Sequence, residues 1–225
     1  MGRDPTHWSD LQDDAGDNRI KVGFEMINAA TTPGLPPSAS FVAGDETRTI
    51  TLPAPGLLNA DSAFLVSLPK AGSTLLNRMM AHAAKLVGQT FFNAPRELRS
   101  LGIKPNDTPA SLSALFVPIG YMYGGFRGLP GAIQLPDWAS GHTVVLVRDP
   151  RDMLVSLYFS VAYSHSPPGT GAGDAFYEQF QKERESAQAL PLDGFVKRQA
   201  AQYVSIYNQL HEKLKGIDSK TYRYE

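Results

Sequence analysis

The chain has 225 residues, 42% of them hydrophobic, which is enough for one domain with an ordinary buried core. Because 21 Lys and Arg stand against 22 Asp and Glu, we expect no broad cationic surface for nucleic acid or an anionic membrane. Cysteine is absent, which excludes disulfides and thiolate metal sites. The sequence also has no apolar run of membrane-spanning length and no N-terminal signal core. We therefore expect a soluble, cytoplasmic protein without membrane insertion.

The N-terminal part of the chain lacks hydrophobic periodicity. Residues 1–40 mix Asp, Gly and Pro, and the stretch from Thr31 to Ser38 holds three prolines. We predict a poorly structured arm over residues 1–40 and an α/β domain over residues 41–225. The weak alternation from Thr47 to Leu52 predicts an edge strand.

A strand followed by a helix is predicted next. Residues 63–68 are nearly all apolar, which is typical of a parallel strand buried on both faces. From Ser73 onward, apolar residues recur at steps of three and four, which predicts a helix with one apolar face that ends near Gly88. That face consists of Leu75, Leu76, Met79, Met80, Ala83, Leu86 and Val87.

Six prolines interrupt residues 89–140 and predict short helices and loops. This segment contains several aromatic residues that allow two interpretations, the lining of an acceptor pocket or the packing of a proline-rich loop. They are Tyr121, Tyr123, Phe126 and Trp138.

A second strand and helix are predicted after residue 142. Residues 143–147 form an apolar run, Asp149 is a suitable N-cap, and Pro150 suits the first helical position. The predicted buried stripe of this helix is Met153, Leu154, Leu157, Tyr158 and Val161. Further elements are predicted as a loop over 164–173, helices over 174–189 and 192–214, and a strand from residue 221.

The turn between the first strand and its helix has the composition of an anion site. A helix amino terminus exposes unpaired N–H groups and a partial positive charge. Lys70 adds a full charge, Gly72 permits close backbone approach, and the hydroxyls of Ser73 and Thr74 can donate hydrogen bonds. The segment is not a Walker A loop, because the lysine precedes the glycine.

The second strand–helix junction has similar chemistry. Arg148 follows the strand and Ser156 lies about two helical turns further on, so both can reach one phosphate, with Arg151 adding charge. The structural alternative is an ordinary capped helix start, with the Ser156 hydroxyl bonded to a backbone carbonyl.

These segments resemble a known family. Leu68-Pro69-Lys70-Ala71-Gly72-Ser73-Thr74-Leu75 is similar to the 5′-phosphosulfate loop of sulfotransferases, written PKSGTTW in one-letter code. The segment from Val147 to Ser156 resembles that family's 3′-phosphate motif, with the arginine-to-serine spacing of eight. The C-terminal Tyr222-Arg223-Tyr224-Glu225 is similar to the start of a third family segment.

The resemblance implies an α/β fold, a P-loop nucleotide-kinase-like three-layer sandwich with a central parallel sheet. It also implies sulfuryl transfer from 3′-phosphoadenosine 5′-phosphosulfate (PAPS) to a hydroxyl or amine of a small-molecule or glycan acceptor, without a metal. Lys70 would be catalytic and would bind the donor. The other donor-binding residues would be Ala71, Gly72, Ser73, Thr74 and Leu75 at the 5′ end and Arg148 and Ser156 at the 3′ end.

The general base is left open by the sequence. Cytosolic members of the family place a histidine upstream of the 3′-phosphate arginine, whereas this chain has Gly124-Gly125-Phe126-Arg127-Gly128 there. Glu97 is the nearest counterpart of the glutamate used by other branches. His82 and His165 are further candidates for proton abstraction.

Two other functions are compatible with the same residues. One is a non-catalytic nucleotide-binding module of the same fold, and the other is a kinase-like phosphoryl transferase. The family continues past the third segment with further helices and a lid, so we expect either a domain truncated at its C-terminus or a member of the family that lacks the lid. The sequence predicts neither the acceptor nor the oligomeric state.

Overall fold

A computed structural model describes residues 36–43, 46–56, 60–101, 103, 108, 110–129, 132–167 and 174–224. The described residues divide into two compact units. The smaller unit consists of residues 148–167 and 174–208. The larger unit consists of the described residues up to Val147 together with residues 209–224.

The strands belong to the larger unit and form two sheets. They are β1 (Ser38–Ala43), β2 (Glu46–Thr51), β3 (Ala63–Ser67), β4 (Thr90–Asn93), β5 (Tyr121–Arg127), β6 (Thr143–Val147) and β7 (Ser219–Arg223). β1 and β2 pair as an antiparallel hairpin. The other five strands form a parallel sheet in the order β4-β5-β3-β6-β7. The predicted α/β class with a central parallel sheet is therefore confirmed.

Five α-helices accompany the described strands. They are α1 (Ser73–Leu86), α2 (Ala94–Ser100), α3 (Pro150–Phe159), α4 (Asp174–Gln188) and α5 (Leu192–Lys213). Short 3₁₀ segments cover Ala110–Leu115 and Asp137–Ala139, and a π-helical turn covers Ser160–Ser164. In the larger unit, α1 packs against β4 and β5, and α2 packs against β5.

β3 is the centre of the parallel sheet, as its apolar run predicts. Its residues Phe64, Leu65 and Val66 are at most 1% exposed, and the strand pairs with β5 on one side and β6 on the other. A strand bonded on both edges and covered on both faces needs apolar side chains in both directions. The second predicted strand, β6, is also confirmed, but of its residues only Thr143 and Val145 are fully buried. It pairs with β7 at the edge of the sheet.

The predicted helix α1 is confirmed, but the prediction of a single apolar face was wrong. Leu76 and Met80 pack against a core of Leu65, Ala84 and Met122. Other members of the predicted face are exposed, namely Leu75 (48%), Met79 (58%), Leu86 (75%) and Val87 (45%). The apolar residues span too wide an arc of the helix for one buried stripe. The helix ends as predicted, with Gly88 at a φ of 71°.

Residues 89–140 differ most from the sequence prediction of short helices and loops. They contain two strands of the central sheet, β4 and β5. β5 carries Gly124 and Gly125, which are disfavoured in strands, and this hid its strand character. It is nonetheless buried over most of its length, since tertiary pairing outweighs local propensity.

The aromatic residues of this segment pack the core of the larger unit. Phe64 stacks on Tyr123 and Trp138, with ring centroids 5.0 and 5.3 Å apart. The Tyr123 hydroxyl donates to the Leu115 carbonyl at 3.0 Å, and the Tyr121 hydroxyl donates to the Pro53 carbonyl at 2.8 Å. Burial raises the pKa of both phenols, so they remain neutral. Of the two interpretations, packing is the correct one.

The smaller unit begins with α3, whose predicted start is confirmed. The Asp149 side chain caps the helix by accepting from the Arg151 N–H at 2.8 Å, and Pro150 is the first helical residue. Met153, Leu154 and Tyr158 of the predicted stripe are buried, and Leu157 and Val161 are partly buried and pack against a core cluster. That cluster consists of Tyr158, Ala162, Ala187 and Phe195.

The N-terminal arm was predicted over residues 1–40. Residues 1–35 lie outside the described part of the chain, and β1 begins at Ser38. Of the predicted loop over 164–173, residues 168–173 also lie outside it. Within the described residues, no helix is both long and apolar enough to cross a membrane.

Replacing Phe64 with alanine tests the central position of β3. Phe64→Ala should lower the free energy of unfolding by about 3–5 kcal/mol, because a fully buried ring in contact with several aromatic neighbours leaves a cavity. Urea denaturation followed by circular dichroism measures the change. Leu86→Ala, at a side chain 75% exposed, is the control and should change stability by no more than about 0.5 kcal/mol. Equal losses in the two variants would contradict the assignment of the core.

Candidate functional site

The loop after β3 begins with a tight turn that has an unusual residue in it. The Ala71 N–H donates to the Leu68 carbonyl at 3.1 Å, which closes a four-residue turn with Pro69 in its second position. Proline favours that position, and the following residue of a type II turn needs a positive φ. Lys70 occupies it with a φ of 64° and is the single described non-glycine residue with a positive φ. A left-handed conformation costs a lysine on the order of 1 kcal/mol, and such strain is concentrated at ligand sites.

Gly72 is the second left-handed residue of the loop, and its conformation requires glycine. Its φ is 89°, and a Cβ atom there would lie 2.8 Å from the ring of Tyr224. Tyr224 follows β7, and its N–H donates to the Val147 carbonyl at 2.9 Å. The third sequence segment that resembled sulfotransferases therefore contacts the first.

The start of α1 offers a group of hydrogen-bond donors. Gly72 is the N-cap and provides no side-chain acceptor, and no acidic residue lies in the first turn. The first intrahelical bond runs from the Leu76 N–H to the Gly72 carbonyl, so the N–H groups of the first three helical residues have no partner within the helix. The hydroxyls of Ser73 and Thr74 make no hydrogen bond with any other described residue. Backbone and hydroxyl donors thus lie together, as the sequence predicts for an anion site.

The second motif lies in the smaller unit, at the start of α3. The Arg148 Nε lies 3.9 Å from the Asp152 carboxylate, and its carbonyl accepts from the Tyr207 hydroxyl. Ser156 is half-buried on the second turn, and its hydroxyl makes no hydrogen bond with another described residue. The alternative in which that hydroxyl bonds a backbone carbonyl is therefore not observed.

Arg151 has a different environment from the one that the sequence suggests. Its guanidinium lies 2.6 Å from the Asp149 carboxylate, and this hydrogen-bonded ion pair raises the pKa of Arg151. The side chain is 86% exposed. Its charge is offset by Asp149, so it adds less to the local field than predicted.

The two motifs follow two strands, β3 and β6, that pair with each other in the sheet. Ser67 pairs with Leu146 in parallel register, so both strands end at the same edge of the sheet. The loop with Lys70 follows β3, and Arg148 is the next residue after the end of β6 at Val147.

A cavity of about 610 Å³ lies in the larger unit, beside the first motif. Its polar lining comes from α1, from the start of α2 and from the ends of β2, β4 and β5. The residues that carry its chemistry are Thr74, Asn77, Arg78, Arg96, Glu97 and Arg127. Two residues predicted to be functional, Thr74 and Glu97, therefore line one cavity, and its volume is in the range of small-molecule sites.

Two glycines of β5 make room for the side chains that shape this cavity. A Cβ on Gly124 would lie 2.9 Å from the Asn77 Oδ1 atom, and one on Gly125 would lie 2.0 Å from the Asn93 Oδ1 atom. The Asn77 oxygen accepts from the Gly125 N–H at 2.9 Å. The Asn93 oxygen caps α2 by accepting from the Arg96 N–H at 3.0 Å. The glycines that hid β5 from sequence reasoning are thus part of the site.

Sequence reasoning missed the arginines. Arg78, Arg96 and Arg127 are far apart in the chain, and only the pairing of β4 with β5 and the packing of α1 bring them to one cavity. A signal was present in Gly124-Gly125-Phe126-Arg127-Gly128, where the family resemblance leads one to expect a histidine. Arg127 ends β5 in that segment.

The histidines proposed as alternative bases lie elsewhere. His82 is exposed on α1 and does not line the cavity. In the smaller unit, the His165 ring lies edge-on to Phe180, with centroids 6.1 Å apart. Within the described ranges, no group of three or more His, Asp or Glu side chains is arranged to hold a metal ion.

Comparisons of the chain with protein-family models, curated proteins and solved structures find no match. The likeness to sulfotransferases therefore depends on the motifs themselves.

A matched pair of glycine substitutions tests the geometry of the loop. Gly72→Ala should destabilise the protein by at least about 2 kcal/mol, since it combines a left-handed alanine with a contact on the Tyr224 ring. Gly128→Ala is the control, because Gly128 has a similar φ of 86° but nothing within 4 Å of the added Cβ. It should lose only about 1 kcal/mol in urea denaturation. Equal losses would show that Tyr224 does not pack on the loop.

Proposed function

We propose that this chain is a sulfotransferase that moves a sulfuryl group from PAPS to a hydroxyl or amine acceptor. The observation that carries the proposal is the loop between β3 and α1, where a strained lysine, a left-handed glycine and the donors of a helix start lie together. Such a loop is suited to a phosphate or sulfate group.

The topology of the sheet supports this proposal. In open α/β sheets, ligands bind beyond the carboxyl ends of the strands, at the point where the connections from two adjacent strands run in opposite directions across the sheet. The connection from β3 runs through α1 to β4, at one end of the strand order, and the connection from the neighbouring β6 runs to β7, at the other end. Lys70 follows the first of these strands and Arg148 follows the second. The finer fold assignment, a P-loop nucleotide-kinase-like three-layer sandwich, belongs to the same proposal.

Each motif residue has a role in the proposed binding of the donor. The N–H groups and hydroxyls of Ser73 and Thr74 hold the 5′-phosphate, with Ala71, Gly72 and Leu75 completing the loop. Arg148 and Ser156 hold the 3′-phosphate. Lys70 neutralises the negative charge that develops on the oxygen bridging phosphorus and sulfur as that bond breaks.

The acceptor binds in the cavity beside Thr74, and Glu97 serves as general base. The acceptor oxygen or nitrogen attacks sulfur in line, the sulfur–oxygen bond to the 5′-phosphate breaks, and adenosine 3′,5′-bisphosphate leaves. The acceptor proton passes to Glu97, which is the one carboxylate among the described residues that line the cavity. This geometry favours Glu97 over the two histidines.

Lys70→Ala tests the catalytic step. The variant should lose at least about a hundredfold in sulfuryl transfer, the scale of removing one preorganised transition-state donor. Transfer of labelled sulfate from PAPS to a panel of acceptors measures the rate. Lys85→Ala is the control, at an exposed lysine in the last turn of α1, and its transfer rate should be unchanged. A Lys70→Ala rate close to that of the unsubstituted chain would refute the role.

Arg148→Ala tests the nucleotide site without depending on an acceptor. Calorimetry with adenosine 3′,5′-bisphosphate should show affinity at least about tenfold weaker, because a charge-assisted contact contributes about 1.5–3 kcal/mol. Arg151→Ala is the matched control, since that guanidinium is exposed and engaged by Asp149. It should change the affinity less than about threefold.

Two outcomes of these measurements distinguish the alternatives. Tight binding of the bisphosphate with no transfer to any acceptor would favour the non-catalytic module. Equal losses in Arg148→Ala and Arg151→Ala would contradict a specific role of Arg148.

A further inference from the structure

The charge of the cavity is opposite to that of the whole chain. Among the residues that the structure describes, three guanidinium groups line it, from Arg78, Arg96 and Arg127, against one carboxylate, from Glu97. None of the four takes part in an ion pair with another described residue. All three arginines are exposed, so water screens their mutual repulsion, but a local excess of two positive charges in a chain of net charge −1 still favours an anion at this place.

A fourth arginine increases this repulsion. Partial burial lowers the pKa of the Arg127 guanidinium, and the positive charge of Arg99 lowers it further. An arginine stays charged after such a shift, so the repulsion persists. An anion between these groups would offset it.

The uncharged groups of the cavity also favour an anion. The side-chain oxygens of Asn77 and Asn93 already accept backbone N–H groups, so their amide NH₂ groups are the parts left to contact a ligand. The Thr74 hydroxyl makes no hydrogen bond with another described residue. The cavity is therefore rich in donors, and guanidinium and amide donors match the oxygens of a carboxylate or a sulfate.

We propose that the acceptor is itself an anion, a compound that carries a carboxylate or sulfate group beside the hydroxyl that receives the sulfuryl group. This inference depends on the proposed function and names the acceptor class of that site. The anionic group binds the arginines, which positions the hydroxyl toward Thr74 and the loop after β3. The hydroxyl oxygen forms the new bond to sulfur, its proton goes to Glu97, and adenosine 3′,5′-bisphosphate is the leaving group.

Calorimetry on the full chain, first saturated with adenosine 3′,5′-bisphosphate, tests the inference with three sugars of similar size. D-Glucuronate and D-glucose 6-sulfate are the anionic probes, and D-glucose is the neutral counterpart. At least one anion should bind with a Kd at least about tenfold lower than that of glucose, since charge-assisted hydrogen bonds are stronger than neutral ones.

The double substitution Arg96→Gln and Arg127→Gln should remove this preference while leaving the affinity for adenosine 3′,5′-bisphosphate within about twofold. Arg198→Gln, at an arginine of the smaller unit that bonds Ser186, is the control and should keep the preference. Circular dichroism and urea denaturation verify that each variant is folded.

The outcomes separate the two proposals. If the unsubstituted chain does not bind adenosine 3′,5′-bisphosphate, the proposed function fails. If the bisphosphate binds but neither anion binds better than glucose, or the preference survives the double substitution, the inference about the acceptor fails alone. It also fails if the double substitution weakens bisphosphate binding as much as anion binding, because the cavity would then belong to the nucleotide.

Discussion

The structure of the larger unit depends on the burial of β3 between β5 and β6. Phe64, Leu65 and Val66 are almost fully buried, and hydrogen bonds on both edges fix the register of the strand. Because the neighbours are parallel, all three strands end at one edge of the sheet. That pairing fixes the positions of the loop with Lys70, of the end of β6 and of Arg127 at the end of β5.

Much of this arrangement is predictable from the sequence. Continuous apolar runs identified β3 and β6, and Asp149 with Pro150 identified the start of α3, because those signals are local. β4 and β5 were missed because β5 contains two glycines and its strand state comes from its neighbours. The aromatic residues of that segment turned out to fill the core, since Tyr121 and Tyr123 bond backbone carbonyls inside it.

The candidate site was predictable only in part, because a sequence motif reveals only residues that are close together in the chain. Lys70, Gly72 and Ser73 are adjacent in the chain, so a motif reveals them. The arginines of the cavity are separated by tens of residues, and only tertiary structure brings them together. Glu97 lies in that cavity, a position that its spacing in the sequence could not reveal. The candidate site thus combines a local loop rich in hydrogen-bond donors with a distributed, positively charged wall.

The central claim is that the two strand–helix junctions bind one nucleotide. A crystal structure of the chain with adenosine 3′,5′-bisphosphate tests it most directly. The account predicts the 5′-phosphate at the N–H groups that begin α1 and the 3′-phosphate against Arg148 and Ser156. A nucleotide bound elsewhere, or one that contacts only one of the two junctions, would contradict it.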